Sequence, residues 1–112
     1  MAFGRDVLRG SLDLMVLSVL ADGPKYGYLI LQQLRQASDG QVELKAGTLY
    51  PVLHRLEAGR SVKSRWDSTT GRDRKWYELT PKGCAALRRE ADAWLSYADC
   101  VRKLLTPALE AI

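Results

Sequence analysis

The apolar positions of this chain change their spacing as it proceeds, and each change marks a different element. Leu12 to Ala21 (L-D-L-M-V-L-S-V-L-A) is apolar nearly all round, the pattern of a helix buried at the centre of a domain, with Ser11 as its expected cap. Asp22-Gly23-Pro24 ends it, because glycine and proline follow helix ends in that order. A second helix is predicted from about Tyr26 to Ala37, with Tyr26, Ile30, Leu34 and Ala37 on its inner face and Ser38-Asp39-Gly40 closing it. After a brief extended piece at Val42-Glu43-Leu44 comes Lys45 to Glu57, K-A-G-T-L-Y-P-V-L-H-R-L-E. There Leu49, Val52, Leu53 and Leu56 recur at i, i+3, i+4 and i+7, one apolar stripe of a short helix that ends near Ala58. Tyr50, His54 and Arg55 project from its other sides, and Lys45 and Thr48 stand at its entrance. Gly47 and Thr48 supply a flexible lead-in and the expected N-cap, and Pro51 falls in the first turn, where its missing N–H costs little.

The period then drops to two. Val62, Ser64 and Trp66 alternate with Lys63, Arg65 and Asp67, and Trp76 and Glu78 alternate with Lys75, Tyr77 and Leu79. The polar, glycine-containing run from Ser68 to Asp73 has the length of a hairpin connection. Helix, helix, helix, hairpin is the order of a winged helix-turn-helix domain, mainly α with a β-hairpin. In that arrangement the third helix enters the major groove and the hairpin tip, the wing, lies along the adjacent backbone. Trp66 and Trp76 are read as packing for the hairpin. A solvated basic hairpin behind an ordinary surface helix is the competing reading.

Thr80 caps a final helix with Pro81 at its first position. Leu87, Ala91, Trp94, Ala98, Val101 and Leu105 repeat at spacings of 4, 3, 4, 3 and 4, a seam of heptad type. From Pro81 to Leu105 such a helix spans roughly 37 Å. A domain of this size has a radius of gyration of about 13 Å, so the helix must run past its own core. Its continuation, with Trp94, Tyr97, Val101 and Leu104, needs a partner, and a second copy of the chain is the economical one. A helix folded back on its own domain is the alternative. The expected organisation is therefore a DNA-binding domain over residues 1–80 and a dimerisation helix over residues 81–112.

Charge sharpens this picture. The 112 residues carry a net charge of +4 and are 46% hydrophobic, which suits one globular domain. Residues 45–82 hold nine Lys/Arg against four Asp/Glu, a balance of +5, so the remainder carries −1. The basic excess sits in the third helix and the hairpin, where phosphates would be met. The sequence holds one histidine, no glycine-rich phosphate loop and no Cys/His set with metal spacing, so no catalysis, metal or cofactor is expected. Leu12 to Ala21 is too short to span a bilayer and no targeting pattern is visible, so a cytoplasmic protein is expected. Cys84 and Cys100 lie sixteen residues apart on the final helix, about 24 Å, too far for an internal disulfide. Reduced thiols are the reading, with a bridge between two subunits as the alternative.

Three segments carry a recognisable pattern: L-R-G-S-L-D-L-M-V-L-S-V-L-A-D-G-P-K-Y-G-Y (Leu8 to Tyr28), K-A-G-T-L-Y-P-V-L-H-R-L-E (Lys45 to Glu57) and G-R-D-R-K-W-Y-E-L-T-P-K-G (Gly71 to Gly83). In this order they closely resemble the PadR family of bacterial transcriptional regulators, over about residues 8 to 100. The resemblance implies a winged helix-turn-helix with a C-terminal dimerisation helix, in the short subgroup with a single such helix. It implies a regulator, with repression as the expected mode, that binds an inverted-repeat operator as a homodimer. The recognition helix spans about residues 47–58 and the wing about 68–75. Carried over residue by residue, the pattern puts Thr48, Tyr50, His54 and Arg55 on the recognition helix, Arg72, Arg74 and Lys75 on the wing, and Tyr28 near the DNA, and Lys45 at the helix entrance is counted with these DNA-facing residues. Tyr28 would equally suit packing between the first two helices. Some family members bind flat aromatic compounds between the C-terminal helices, and Trp94 is placed where such an effector would stack, or where it would serve the dimer core alone.

Three departures accompany the match. Gly59-Arg60-Ser61 brings the glycine one position early and sets Ser61 where a large apolar residue plugs the core, which would loosen the turn out of the helix. Asp73 replaces a proline common at the wing, and Leu29 replaces a commonly acidic residue. A winged helix that binds protein rather than DNA, or one that binds RNA, remains the alternative. The joint basic charge on recognition helix and wing speaks against the protein-binding module.

Overall fold

A computed structural model of the chain describes residues 11–69 and 71–112. The first residues of the family-like pattern, Leu8 to Gly10, the start of the expected first domain and Thr70 of the hairpin connection lie outside the described residues. The element order is α1 (Leu12–Val19), β1 (Lys25–Tyr26), α2 (Gly27–Ala37), α3 (Ala46–Ala58), β2 (Val62–Asp67), β3 (Arg74–Leu79) and α4 (Pro81–Ala111). This is the winged-helix order with a long C-terminal helix.

The core forms where the three short helices and the root of the hairpin meet. α1 supplies Val16, Leu17 and Val19, α2 supplies Ile30 and Leu34, and α3 supplies its whole stripe of Leu49, Val52, Leu53 and Leu56. Val62 and Tyr77 close the core from the two wing strands. α1 is shorter than its apolar run: after Val19 the chain tightens into i→i−3 bonds, Leu20 N–H to Leu17 and Ala21 N–H to Ser18, and leaves the helix. Ser11 takes the N-cap position, and its carbonyl accepts from Met15 N–H.

Three local expectations need correction. Tyr26 belongs to a two-residue strand, not to the second helix: its backbone is extended and pairs with Trp76, so the sheet has three strands in the order β1-β3-β2. Ala37 is exposed, and Gly27, Ile30 and Leu34 form the inner face of α2. α3 starts at Ala46 with Lys45 at the N-cap, because the Lys45 carbonyl already accepts from Thr48 and Leu49. Thr48 is therefore helical, and Pro51 lies in the second turn, where its ring forgoes a bond to the Gly47 carbonyl. α4 runs unbroken to Ala111, straight through Pro107.

The turn out of α3 is closed despite Ser61. Arg60 N–H donates to the Glu57 carbonyl and Ser61 N–H to the Leu56 carbonyl, the two bonds of a Schellman ending. Thr80 then ties this turn to the start of α4. Its Oγ1 donates to the Arg60 carbonyl at 2.6 Å, and it accepts from Gly83 N–H at 3.0 Å as the helix cap. Gly83 is buried here, and a methyl group at that position would run into the Ser61 carbonyl. Ala86 is also buried and Leu87 packs on the core, so the first two turns of α4 share in the core of the winged helix.

Beyond those turns α4 leaves the domain. Its 31 residues span about 46 Å at the standard rise. The chain measures 60 × 30 × 21 Å with a radius of gyration of 16.3 Å, above the roughly 13 Å of a compact chain of this size. Among the described residues no helix is long and apolar enough to cross a membrane, and no cluster of His, Cys, Asp or Glu is arranged to hold a metal.

Candidate nucleic-acid interface

The start of α2, the outer face of α3 and the inner side of the wing enclose an open groove of about 740 Å³. Its lining includes Tyr28, Tyr50, His54, Trp66, Arg72, Arg74 and Lys75. Six of the residues expected from sequence are thus brought to one place. Tyr28 is 64% exposed and lines the groove rather than packing between the first two helices. Tyr50 lies across the start of α2: a methyl group on Gly27 would collide with its ring and hydroxyl, so the glycine between two tyrosines in Y-G-Y is a seat for a third. Lys45 and Thr48 are exposed at the first turn of α3, beside the groove rather than in it. No side chain caps that turn, which leaves the positive end of the helix open to an anion.

The wing is shaped by its turn chemistry. An Asp67 oxygen accepts from Thr69 N–H at 2.9 Å, which holds the Asp67 carboxyl below its usual range, and the Ser68 carbonyl accepts from Gly71 N–H at 3.0 Å. Gly71 sits at φ +83°, a conformation that favours glycine. Arg72 is exposed at this tip. Arg74 stacks its guanidinium 4.5 Å from the centre of the Tyr26 ring, and Tyr26 meets Trp76 edge to face at 5.0 Å. Stacking occupies the face of the guanidinium and leaves its N–H edge to donate.

Two basic residues have acidic partners. Arg55 does not face the groove. It reaches back to α1, where it donates to the Asp13 carboxylate, and that partner raises the guanidinium pKa. Lys75 lies 3.9 Å from Glu57 and 5.7 Å from the centre of the Tyr77 ring. Burial first, then the nearby Glu57 charge, raises the Tyr77 pKa.

Trp66 is the residue whose place the alternation misassigned. It is 69% exposed and lines the groove instead of packing the hairpin, whereas Trp76 does pack, against Tyr26. The alternation put Trp66 on the face of Val62, but the core ends before the strand does. Asp13 and Glu57 were also not singled out. Their signal is only that each acid has a basic partner, and the Asp13–Arg55 pair is separated by 42 residues of chain.

On α4, the expected seam divides. Leu87 packs on its own domain. Trp94, Ala98, Val101 and Leu105 line a shallow depression of about 500 Å³ together with Tyr97 and Leu109. Ala91 is half-buried outside it. Trp94 also borders a second cavity of about 540 Å³, shared with Leu12, Asp13, Arg55 and Glu90.

Comparison with known proteins fits this geometry. Residues 16–89 match the PadR-like family of transcriptional regulators. A transcriptional regulator of Mycobacterium tuberculosis is 36% identical over 89 residues, which cover 80% of each chain. Among solved structures, a transcriptional regulator from Clostridium thermocellum is 33% identical with a TM-score of 0.80, covering 88% of this chain and 96% of that one. A PadR family regulator from Eggerthella lenta is 36% identical with a TM-score of 0.77, covering 90% and 87%.

Proposed function

Because this chain belongs to the PadR-like family of transcriptional regulators, we propose that it represses transcription by binding an inverted-repeat operator in double-stranded DNA as a homodimer. The observation that carries this reading is the groove itself, with an exposed helix face and a basic wing on one side of the molecule. In this reading α3 enters the major groove with Thr48, Tyr50 and His54 toward base edges, while Lys45 and Tyr28 meet the flanking backbone. Arg72 and Arg74 meet phosphates beyond the half-site. Lys75 adds charge from the wing root, tempered by Glu57. Arg55, paired with Asp13, orients the recognition helix on α1 and reads no base.

The homodimer is supported by the exposed apolar stripe of α4. Trp94, Tyr97, Leu104, Leu105 and Leu109 stand in solvent on a single chain, and a second α4 offers a matching surface. Residues 11–80 then act as the DNA-binding unit, and α4 beyond Leu87 as the dimerisation unit. Trp94 has two duties open to it: the dimer core, or a stacking surface for a flat aromatic effector. Its position between the seam and the cavity beside Arg55 supports either.

Selection from a random duplex pool tests the reading. It should recover an inverted repeat with half-site centres one helical turn apart, about 10 to 10.5 base pairs, or a multiple of that. Inserting about five base pairs between the half-sites turns one of them to the far face of the duplex, so affinity should fall toward the nonspecific level. Unchanged binding after insertion would refute the two-fold reading. No salt-dependent duplex binding at all would favour a protein-interaction module.

A further inference from the structure

We propose that Glu57 is a positioning residue that sets the angle of the wing against the recognition helix. Glu57 lies in the last turn of α3 and is half-buried. Its carboxylate accepts from the Ser64 hydroxyl on β2 and stands 3.9 Å from Lys75 Nζ on β3. Ser64 pairs across the hairpin with Tyr77, and Trp66 pairs with Lys75, so these four share the face of the sheet turned toward α3. One carboxylate thus holds both strands. Among the described residues it makes the sole polar side-chain tie between α3 and the wing.

Apolar packing does not do this task further out. On that face Val62 is buried at the root and Tyr77 is buried beside the half-buried Ser64, while Trp66 at the end of the strand stands mostly in solvent. The core therefore grips the wing as far as Tyr77, and Glu57 reaches the next pair outward through Lys75. A lever fixed at one end swings at the other. Fixing it at Ser64 and Lys75 as well holds Arg72 and Arg74 in register with Tyr50 and His54 across the groove.

This inference rests on the DNA-binding reading above, and the test separates the two. Full-length protein is titrated with two duplexes: the selected inverted repeat alone, and the same repeat with flanks long enough to meet both wings. Wild-type protein should bind the flanked duplex more tightly, with a steeper salt dependence. Glu57→Ala should erase most of that gain, about ten-fold, and lower the salt slope on the flanked duplex by about two to four phosphates. Affinity for the bare repeat should not fall, because removing the Glu57 charge leaves Lys75 freer to meet phosphate. Glu57→Gln still accepts from Ser64 and should recover most of the gain; no recovery overturns the hydrogen-bonded tie. An equal loss on both duplexes, or an unchanged flank gain, overturns the proposal. Should Glu57→Ala fail to fold, Ser64→Ala removes one arm from outside the helix and carries the same two expectations. Wild-type protein that binds neither duplex would sink the DNA reading and this inference with it, whereas wild-type binding with an unmoved gain in the variants sinks this inference alone.

Discussion

α3 and α4 carry the same kind of apolar stripe and meet opposite fates. Leu49 and Leu53 of α3 are fully buried, closed in by α1, α2 and the root of the wing. Leu105 and Leu104 of α4 are 51% and 69% exposed, and the stripe that holds them continues through Trp94, Tyr97 and Leu109. The two faces are equally hydrophobic in pattern, so the pattern alone says nothing about what covers a face. Reach decides it. α3 is a 13-residue helix inside a domain of matching width, whereas α4 has 31 residues and outruns the other described elements. A buried stripe reports how the chain folds, and an unburied one reports what the folded chain must meet.

The sharpest way to break this comparison is to damage each stripe in turn. Leu53→Ala removes a fully enclosed side chain and should cost about 2–5 kcal/mol of stability, read from chemical denaturation. Leu105→Asp should leave the winged helix folded, since Leu105 is half in solvent and outside the core of the described residues, yet convert a dimer to a monomer in sedimentation. Circular dichroism separates the two outcomes. If Leu105→Asp sediments like the wild type, or the wild type is monomeric at micromolar concentration, the stripe on α4 has a different purpose and the homodimer is wrong.

The second test addresses the joint where the two helices meet. Gly83 in the first turn of α4 lies against the Ser61 carbonyl, at the end of the turn that leaves α3. Gly83→Ala would ordinarily favour a helix, because alanine has the higher propensity. Here the added methyl has no room against backbone, so the substitution should destabilise by about 1–3 kcal/mol. A neutral or stabilising result would mean that α4 can pivot away from α3 at little cost.

How much of this was legible in the sequence follows from the distance over which each feature is decided. The stripe of α3, the hairpin and the Thr80-Pro81 start of α4 are local patterns, and each was readable from spacing alone. β1 was not, because two residues carry no period, and Tyr26 enters the sheet only once β3 is beside it. The outward face of α3 was read as one surface, and the fold splits it: Tyr50 and His54 look into the groove while Arg55 turns to Asp13. Which side of a helix a polar residue serves depends on neighbours far away in sequence. Glu57 was hidden for the same reason. In the chain it is an ordinary acid at a helix end, and only the wing folding back over it gives it two partners.

The smallest expected effect concerns the way out of α3, and it runs toward greater stability. The Schellman ending needs a left-handed residue after the last helical turn, a position that glycine fills without strain. This chain has its glycine one place too soon. Gly59 sits at φ −81°, where any residue fits, while Arg60 is forced to φ +66°. Arg60 is exposed, and its bonds in the turn are made by its backbone N–H and carbonyl, which glycine would keep. Arg60→Gly should therefore stabilise the protein by up to about 1 kcal/mol. That corresponds to a rise of roughly 4–8 °C per kcal/mol in the melting temperature of a domain this size. The melts must be run at one protein concentration, because dimerisation would otherwise shift them. Gly59→Ala serves as the companion. A methyl group there finds ordinary contacts with the Arg55 and Leu56 carbonyls, so it should be neutral or slightly stabilising through the unfolded chain. If Arg60→Gly melts lower than the wild type, the arginine side chain holds the joint in a way that its exposure does not suggest. The turn between the buried stripe and the exposed one would then be fixed by side chain as well as backbone.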